Sequence, residues 1–401
     1  MKVCFISGEY PPMQGGVADY TQRLAEALEE LGVDSYILTS VKAHSSVHRD
    51  FVLADIERWG FSLWSKVEGV IRQTSPDLVH IQYQTAAYGM QPAINLLPFW
   101  LHRRIPDLPI VTTLHDLRVP YLFPKAGRLR QWATRALLKG SDGVIVSNEE
   151  DLATINKTGY QTANLRLIPI GSNIIPTLPD DYDRDSWRAR YDIGAGDVLL
   201  SYFGLLNSSK GVEVLLAALR HLPESMPRTK LLMVGASAGD SDPTNVLYEQ
   251  KILRLIDDLA VRDVVKFTGH VAPVDVSANL MASDICVLPF KDGASFRRGS
   301  LMAALAHGLP LVTTQTPDGS KAGTEDASGR PPRLVHGESC LLVASDDEKA
   351  LAEAIVQLIG SPQLRKKLSE GALQLAKCFS WDRIARETVE MYHSILRRMP
   401  C

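Results

Sequence analysis

The 401-residue sequence lacks the features of several common protein classes. It has no apolar run long enough to span a bilayer, and its opening residues, MKVCFISGEY, form a strand pattern without the charged leader and apolar core of a signal peptide. Its formal net charge of -3 is close to neutral, which argues against a nucleic-acid-binding surface. These absences predict a cytoplasmic protein that does not bind nucleic acid.

Cysteine is scarce, and its spacing is not that of a metal site. Cys4 and Cys286 lie inside apolar runs, where buried free thiols are expected, and this agrees with a reducing compartment. The five cysteines are Cys4, Cys286, Cys340, Cys378 and Cys401.

Clustered metal ligands and paired catalytic carboxylates are also lacking. The acidic clusters at 181–183 and 240–242 have no histidine nearby and lie in polar, turn-rich segments. Solvated loops explain them better than a cation site does, so we predict no obligatory metal and no cofactor. A glycoside hydrolase needs two carboxylates that flank the bond it cleaves, and the sequence contains no obvious pair of this kind.

What the sequence does contain is a regular alternation of short apolar runs and helical patterns. This alternation predicts an α/β fold with parallel sheets. A Pro- and Asp-rich stretch at 172–187 reads as a linker between two such series. We predict two Rossmann-like domains, residues 1–172 and 173–382, whose parallel sheets face a central cleft. An amphipathic helix at about 383–401 is expected to pack back on the first domain.

Ligands of such sheets bind beyond the carboxyl ends of the strands, so the strand-to-helix loops are expected to hold the site. Gly15 and Gly16 follow the first strand and precede a helix. Two glycines allow a ligand to approach the backbone closely. The full G-x-G-x-x-G pattern is absent, and a plain tight turn explains the pair equally well.

Basic residues precede two helices of the second domain. Lys210 ends the loop GLLNSSKG, while Arg297 and Arg298 directly precede the apolar helix that contains LMAALA. Cations at a helix N-terminus are unfavourable unless an anion lies between them and the helix. A diphosphate is the anion that suits arginine, lysine and helix N–H groups together. The alternative is that the arginines are solvated on a loop.

Two further segments carry candidate residues. His115 and Asp116 end the strand VTTLHD, where a histidine can hydrogen-bond a substrate, although a structural histidine is the ordinary case. The segment 125–139 is basic and amphipathic, which suits peripheral contact with an anionic membrane at its inner face as well as it suits an ordinary surface helix. Its cations are Lys125, Arg128, Arg130, Arg135 and Lys139.

Assembled in order, these segments resemble the retaining glycosyltransferases of the two-Rossmann (GT-B) fold, family 4. The matching pieces cover essentially the whole chain and follow the order of the family. They are GEYPPMQGGVADYTQRLAEALEELG, TLHD, LRLIPIGSN, FGLLNSSKGVEVLLAAL, VVKFTGHV, ASDICVLPF, AALAHGLPLVTT and FSWDRIARETVEMYHSIL.

The resemblance implies transfer of a sugar, with retention and without a metal, from a nucleoside-diphosphate sugar to a hydroxyl of a glycan, lipid or small molecule. It also implies a role in polysaccharide biosynthesis. The donor lies mainly on the second domain and the acceptor mainly on the first. His115, Lys210 and Arg298 are the expected catalytic groups. The expected donor-binding residues are Gly15, Gly16, Lys210, Gly269, His270, Val271, Asp292, Ser295, Arg297, Arg298, Gly299, Ser300 and Leu301.

The chain departs from the family at three positions. Leu205 stands where the family usually has an arginine, and Ser295 and Ala303 replace two glutamates eight positions apart. Because Arg297 and Arg298 restore positive charge beside the leaving diphosphate, an active enzyme is favoured. The alternatives are a catalytically silent nucleotide- or glycan-binding protein with a regulatory role and, less well supported, a sugar-nucleotide epimerase.

Overall fold

The protein folds as two compact units. The computed structural model describes residues 1–13, 15–44, 51–115, 127–157, 164–235, 243–316 and 332–398. Unit 1 comprises Met1–Gly171 and Ser380–Cys401, and unit 2 comprises Ser172–Phe379. The boundaries expected from the sequence were residue 172 and about residue 383.

Unit 1 contains a seven-stranded parallel sheet in the order β3-β2-β1-β4-β5-β6-β7. Four consecutive residues of the first strand, at positions 3–6, are completely buried, which explains why this strand reads as one apolar run. The strands are β1 (Lys2–Ser7), β2 (Asp34–Ser40), β3 (Val52–Ile56), β4 (Leu78–Tyr83), β5 (Ile110–Leu114), β6 (Gly143–Val146) and β7 (Leu165–Leu167).

Helices flank this sheet, and the last helix of the chain is one of them. They are α1 (Gly16–Glu29), α2 (Leu63–Thr74), α3 (Ala93–Arg104), α4 (Gly127–Gly140), α5 (Glu149–Lys157) and α13 (Trp381–Leu396). Helix α13 fits closely because Gly143 has no side chain: a Cβ there would lie 2.6 Å from Met391 and Ile395. The hydroxyl of Tyr392 is 2.6 Å from Nδ1 of the buried His80. Unit 1 therefore includes the C-terminal segment in its core.

Unit 2 contains a six-stranded parallel sheet in the order β10-β9-β8-β11-β12-β13. Its strands are β8 (Val198–Phe203), β9 (Thr229–Val234), β10 (Val265–Gly269), β11 (Ile285–Leu288), β12 (Leu311–Thr314) and β13 (Leu341–Val343). Its helices are α6 (Arg184–Ala189), α7 (Val212–Leu219), α8 (Pro243–Asp258), α9 (Pro273–Ala282), α10 (Gly299–Ala306), α11 (Glu348–Gly360) and α12 (Pro362–Ala376).

The stretch interpreted as a linker is not wholly irregular, because α6 begins inside it. Asp183 caps this helix by accepting a hydrogen bond from the backbone N–H of Ser186 at 2.8 Å. The buried side chain of Arg188 donates hydrogen bonds to the Asp284 carboxylate and to backbone carbonyls of unit 2. The end of the predicted linker is thus part of the folded second unit.

The two sheets share one topology, and the predicted fold class of two parallel-sheet α/β domains is confirmed. In each sheet the first strand of the unit lies beside the fourth, β1 beside β4 and β8 beside β11. The winding direction reverses there, and ligands of such sheets bind at the carboxyl ends of the strands flanking that point. A ligand site is therefore expected in the loops after β1, β4, β8 and β11.

Candidate functional site

A cluster of cations lies at the point in unit 2 where the winding reverses. Lys210 belongs to the loop after β8, and Arg298 to the loop after β11. Both lie over the ring of the buried Phe290: Lys210 Nζ is 5.1 Å and Arg298 Cζ is 4.5 Å from the ring centroid. The aromatic face stabilises cations through its negative quadrupole. One side chain thus supports positive charge from both loops.

Arg298 is held in place by several contacts. Its Nη2 forms an ion pair with Asp292 Oδ1, and its Nη1 donates to Ser209 Oγ at 3.4 Å. Only 11% of its side chain is exposed. Arg297 is less constrained, with 22% exposed and its Nη2 3.9 Å from Asp292 Oδ2. Asp292 therefore shares its charge between the two arginines, Arg298 being the closer.

The two loops are joined through their backbones. The backbone N–H of Lys291 donates to the carbonyl of Ser209 at 3.0 Å. Gly211 has a φ of 66°, and a Cβ on it would lie 2.0 Å from the carbonyl oxygen of Pro289. Only glycine meets both conditions, so the residue after Lys210 fixes the approach of the two loops.

The environment of Lys210 makes its charge costly in the absence of an anion. Burial and the nearby charge of Arg298 lower the pKa of Lys210 from 10.5 to about 8, and Asp292 opposes this only in part. An anion beside Lys210 and Arg298 would relieve both effects. The arrangement is therefore chemically suited to an anion.

Helix α10 begins at this cluster. Arg298 is its N-cap residue, and Gly299, Ser300 and Leu301 form its first turn, where backbone N–H groups have no partner within the helix. The buried hydroxyl of Ser300 has no hydrogen-bond partner among the described residues. Ser295 contributes its backbone carbonyl, which accepts from the N–H of Arg298 at 2.9 Å. The helix N-terminus thus offers further hydrogen-bond donors beside the two cations.

The residues expected near the base lie at a different strand. Gly269 ends β10 with a φ of 65°, His270 is exposed, and Val271 packs partly on the core of unit 2. Two inter-strand spacings separate β10 from β8, which corresponds to about 10 Å. Gly269, His270 and Val271 therefore follow β10 at the same sheet edge as the loop that contains Lys210.

The family departures have clear structural positions. Leu205, in the loop after β8, is 51% exposed. Ala303 is completely buried in the core of unit 2 and offers no polar group. Ser295 is partly buried in the turn that precedes α10. The positive charge at this site therefore comes from Lys210 and the two arginines rather than from position 205.

In unit 1, His115 lies directly after β5 and contacts two other elements. Its Nε2 is 2.8 Å from Oε1 of Gln82, near the end of β4, and the Tyr20 ring of α1 stands edge-on to its ring with centroids 4.7 Å apart. Burial lowers the pKa of His115 from 6.5 to about 4, so it is neutral at pH 7. This edge of the unit 1 sheet presents a neutral, polar group.

The glycine pair of unit 1 lies beside a carboxylate. Gly15 is the N-cap residue of α1 and Gly16 its first residue. A Cβ on Gly15 would lie 2.2 Å from Glu9 Oε2, so the absence of a side chain lets this carboxylate approach the helix N-terminus. Burial, and secondly Asp19, raise the pKa of Glu9. This end of α1 already has an acidic neighbour.

Several other predicted features lie partly or wholly outside the described residues. Asp116, Lys125 and the acidic cluster at 240–242 are among them. Arg135 and Lys139 of α4 are exposed. Among the described residues, no group of three or more His, Cys, Asp or Glu side chains could hold a metal ion. No helix in those same segments is both long and apolar enough to cross a membrane.

Sequence reasoning missed the residues that support the candidate groups. Phe290 and Gln82 are visible in the sequence only as parts of apolar strands, and Ser209 only as part of a polar loop. Gln82 and Ser209 contact residues 33 and 89 positions away, and Phe290 contacts both a residue of its own loop and Lys210 in another, so no local pattern marks these roles. An aromatic residue directly after a strand at the reversal point is the one signal that was available for Phe290.

The two units match two glycosyltransferase sequence families. Residues 15–171 match the model of the glycosyl transferase 4-like domain, and residues 197–361 match that of glycosyl transferases group 1. The chain belongs to the GT-B glycosyltransferases of family 4 type. The sequence-based assignment to this family is thus confirmed.

Relatives of this glycosyltransferase extend over nearly the whole chain. Glycogen synthase of Mycobacterium tuberculosis is 24% identical over 431 residues, covering 98% of this chain and 94% of the relative. D-inositol 3-phosphate glycosyltransferase of Corynebacterium urealyticum is 25% identical over 437 residues, covering 98% and 96%. Both names agree with a transferase that acts on sugars.

Solved structures show the same fold. Sucrose-phosphate synthase of Thermosynechococcus elongatus superposes with a TM-score of 0.72 at 21% identity, covering 99% of each chain. HepE of Anabaena in complex with UDP-glucose superposes with a TM-score of 0.71 at 18% identity, covering 98% of this chain and 100% of HepE. At these identities the likeness establishes the fold of the glycosyltransferase.

Proposed function

We propose that this glycosyltransferase transfers a sugar from a nucleoside-diphosphate sugar to a hydroxyl acceptor, with retention and without a metal ion. The observation that carries the proposal is the convergence of Lys210 and Arg298 on the Phe290 ring, beside the N-terminus of α10. The site joins two cations to the N–H groups of a helix N-terminus, and both kinds of donor suit the oxygens of a diphosphate.

In the proposed reaction, negative charge develops on the diphosphate as the bond to the sugar breaks. Lys210 and Arg298 stabilise that charge, and the first-turn N–H groups of α10 donate to the same oxygens. Arg297 adds a longer-range attraction. The positive groups take the place that a divalent metal has in other transferases, so the chemistry needs no metal here.

Retention follows when the acceptor hydroxyl attacks on the face from which the diphosphate departs. A phosphate oxygen of the leaving group accepts the hydroxyl proton, and no side chain becomes covalently attached to the sugar. Such a reaction requires positioning and stabilisation of the leaving group. His115 contributes to positioning through a hydrogen bond between its neutral ring and a hydroxyl of the transferred sugar.

The nature of the donor has independent support from the fold relatives. HepE of Anabaena has been solved with UDP, with UDP and glucose, and with UDP-glucose. On this basis the donor of our chain is a nucleotide sugar, with the base near Gly269–Val271 and the diphosphate near Arg298. The acceptor is a glycan, a lipid-linked sugar or a small molecule with a free hydroxyl.

A second candidate function rests on the missing carboxylates at Ser295 and Ala303. Without them, the protein would bind a nucleotide or a glycan and regulate a partner rather than transfer sugar. Nucleotide binding without hydrolysis or transfer of any donor sugar would favour this role. The retained cations favour catalysis.

The experiment that tests the main proposal has two steps. The full chain is first screened by thermal shift against UDP, ADP, GDP, CDP and TDP, and the matching nucleotide sugars are then supplied with a panel of hydroxyl acceptors. Proton NMR of the product reports whether the anomeric configuration of the donor is retained. We expect one nucleoside diphosphate to stabilise the chain and its sugar to be transferred with retention.

Removal of metal supplies an internal control. Because Lys210 and the arginines provide the positive charge, EDTA is expected to leave the transfer rate within about twofold of the untreated enzyme. A rate that collapses with EDTA and returns with Mg²⁺ or Mn²⁺ would contradict the metal-independent mechanism.

A further inference from the structure

The neighbours of His115 in unit 1 determine which of its two ring nitrogens carries the proton. Gln82 Oε1 lies 2.8 Å from His115 Nε2, and both the side chain and the backbone of Gln82 are completely buried. An amide oxygen only accepts hydrogen bonds. The His115 nitrogen that faces it must therefore donate.

The consequence for the opposite ring nitrogen follows directly. A neutral imidazole carries one proton, so a ring protonated at Nε2 leaves Nδ1 as an acceptor. Burial keeps His115 neutral by lowering its pKa to about 4. A neutral ring with an unprotonated Nδ1 accepts a hydrogen bond from a sugar hydroxyl, which an imidazolium cannot do.

Two buried polar atoms beside His115 lack partners among the described residues. They are Nε2 of Gln82 and the hydroxyl of Tyr20, whose ring stands edge-on to the His115 ring. Buried donors in folded proteins normally have acceptors, so an unpaired one beside a candidate ligand group indicates that a ligand oxygen supplies the partner. Gln82 thus has one atom occupied by His115 and one left for a ligand.

We propose that Gln82 is a positioning residue that fixes His115 in the tautomer protonated at Nε2 and presents Nδ1 as the acceptor for a hydroxyl of the transferred sugar. This inference builds on the proposed function, because it assigns a role in sugar binding to His115. The Gln82 amide N–H group, which has no partner in the described part of the chain, donates to an oxygen of the same substrate.

Ionisable groups near His115 determine how it responds to changes at Gln82. They are His80 on β4, which burial and His115 keep neutral by lowering its pKa to about 3, and Tyr20 on α1. Tyr392 of α13 reaches this group through its hydrogen bond with His80. His80, Tyr20 and Tyr392 are uncharged at pH 7. They therefore do not offset the effect on His115 of a charge introduced at position 82.

Two substitutions separate positioning from packing. Gln82→Met keeps the volume and removes the acceptor, so the two neutral tautomers of His115 should become mixed. Gln82→Glu keeps an acceptor, so Nε2 should stay protonated, but the added carboxylate raises the pKa of His115. Gln91→Met is the matched control, because Gln91 is an exposed glutamine of the same unit.

The test uses the full chain labelled with ¹⁵N-histidine, with the His115 signals assigned by their loss in a His115→Gln variant. Long-range ¹H–¹⁵N spectra distinguish protonated from unprotonated ring nitrogens. The parent and Gln91→Met should show a proton on Nε2, Gln82→Glu should keep it there, and Gln82→Met should show a mixture. A parent protonated at Nδ1, or a Gln82→Met variant with an unchanged spectrum, overturns the inference.

Transfer kinetics provide the second readout. We expect Gln82→Met to lower kcat/KM by about 3- to 10-fold, the range of one neutral hydrogen bond. Gln82→Glu should be active at high pH and lose kcat/KM as the pH falls through the raised pKa of His115, because imidazolium cannot accept the bond. A flat pH profile in that variant contradicts the proposal. The tautomer spectrum needs no turnover, so a parent that transfers no sugar overturns the proposed function while the histidine spectrum still tests this inference.

Discussion

The carboxyl edges of the two sheets have the same topology and opposite chemistry. In unit 2 the loops after β8 and β11 bring Lys210 and Arg298 to one aromatic ring. In unit 1 the carboxyl ends of the neighbouring strands β4 and β5 present the neutral pair of Gln82 and His115. Two sheets of the same strand order thus end in loops of different charge, so we expect the loop residues to select the ligand.

The helix N-termini at these edges differ in the same way. The N-terminus of α1 has the carboxylate of Glu9 beside Gly15, whereas the N-terminus of α10 begins at Arg298. A carboxylate complements the positive end of a helix dipole and leaves little need for a further anion, while a cation there calls for one. The comparison predicts that unit 2 binds the diphosphate and unit 1 binds neutral hydroxyl groups.

The largest expected effect comes from Arg298→Ala. Loss of a hydrogen bond to a charged group costs about 1.5–3 kcal/mol, so nucleoside diphosphate affinity should fall by about 10- to 150-fold. Titration calorimetry measures the affinity directly. Arg135→Ala, an exposed arginine of unit 1, is the matched control and should leave it within about twofold.

Lys210 supplies a pH test of the same side of the comparison. Its protonated form binds the anion and its pKa is about 8, so affinity should be full at pH 7 and fall as the pH rises through 8 toward 10. Lys210→Met should bind about 10-fold more weakly at pH 7 and should lose that pH dependence.

The unliganded Lys210→Met variant should be at least as stable as the parent. Burial of the cation disfavours folding in full below pH 8, and this cost disappears only as the pH rises from about 8 to 10.5, so removing the charge removes the cost at pH 7. A thermal midpoint well below that of the parent would contradict this account of Lys210. If the affinity for the nucleoside diphosphate fell with pH equally in the parent and in Lys210→Met, a group other than Lys210 would be responsible for the pH dependence.

Arg297→Ala should have a smaller effect than Arg298→Ala. Arg297 is more exposed and farther from Asp292, so solvent weakens its attraction for the diphosphate. We expect about a 3- to 10-fold loss of affinity, falling toward none at high salt. If Arg297→Ala and Arg298→Ala lost affinity equally, the distinction drawn from their burial would be wrong.

The unit 1 side of the comparison is tested with His115→Gln. One neutral hydrogen bond to the sugar is lost, so kcat/KM should fall by about 3- to 10-fold. The affinity for the bare nucleoside diphosphate should remain within about twofold, because that ligand has no transferred sugar. If His115→Gln lost as much affinity for the bare nucleoside diphosphate as for the sugar nucleotide, His115 would contact the nucleotide and not the transferred sugar.

Much of this organisation could be predicted from the sequence. Parallel strands that are buried on both faces appear in the sequence as apolar runs, so the two sheets could be predicted. Lys210 and Arg298 could be predicted as site residues because each is a basic residue close to the start of a predicted helix. The helix from Arg184 to Ala189 was missed because its cap, Asp183, is also a typical turn residue.

The supporting residues could not be predicted, because their roles depend on tertiary contacts. Nothing in the strand around Gln82 indicates a histidine 33 residues away, and nothing near Phe290 shows that two cations approach its ring. The replacements at Ser295 and Ala303 were visible in the sequence. Only the structure shows that Ala303 is buried and that Arg298 is held beside the helix start.

The central claim is that the cations of unit 2, and not the polar group of unit 1, bind the diphosphate. The most direct measurement is titration calorimetry of the nucleoside diphosphate that stabilises the parent chain, carried out on the parent, Arg298→Ala and Gln82→Met. The account predicts a loss of about 10- to 150-fold for Arg298→Ala and less than about twofold for Gln82→Met. Parent-like affinity of Arg298→Ala, or an equal loss in both variants, would contradict it.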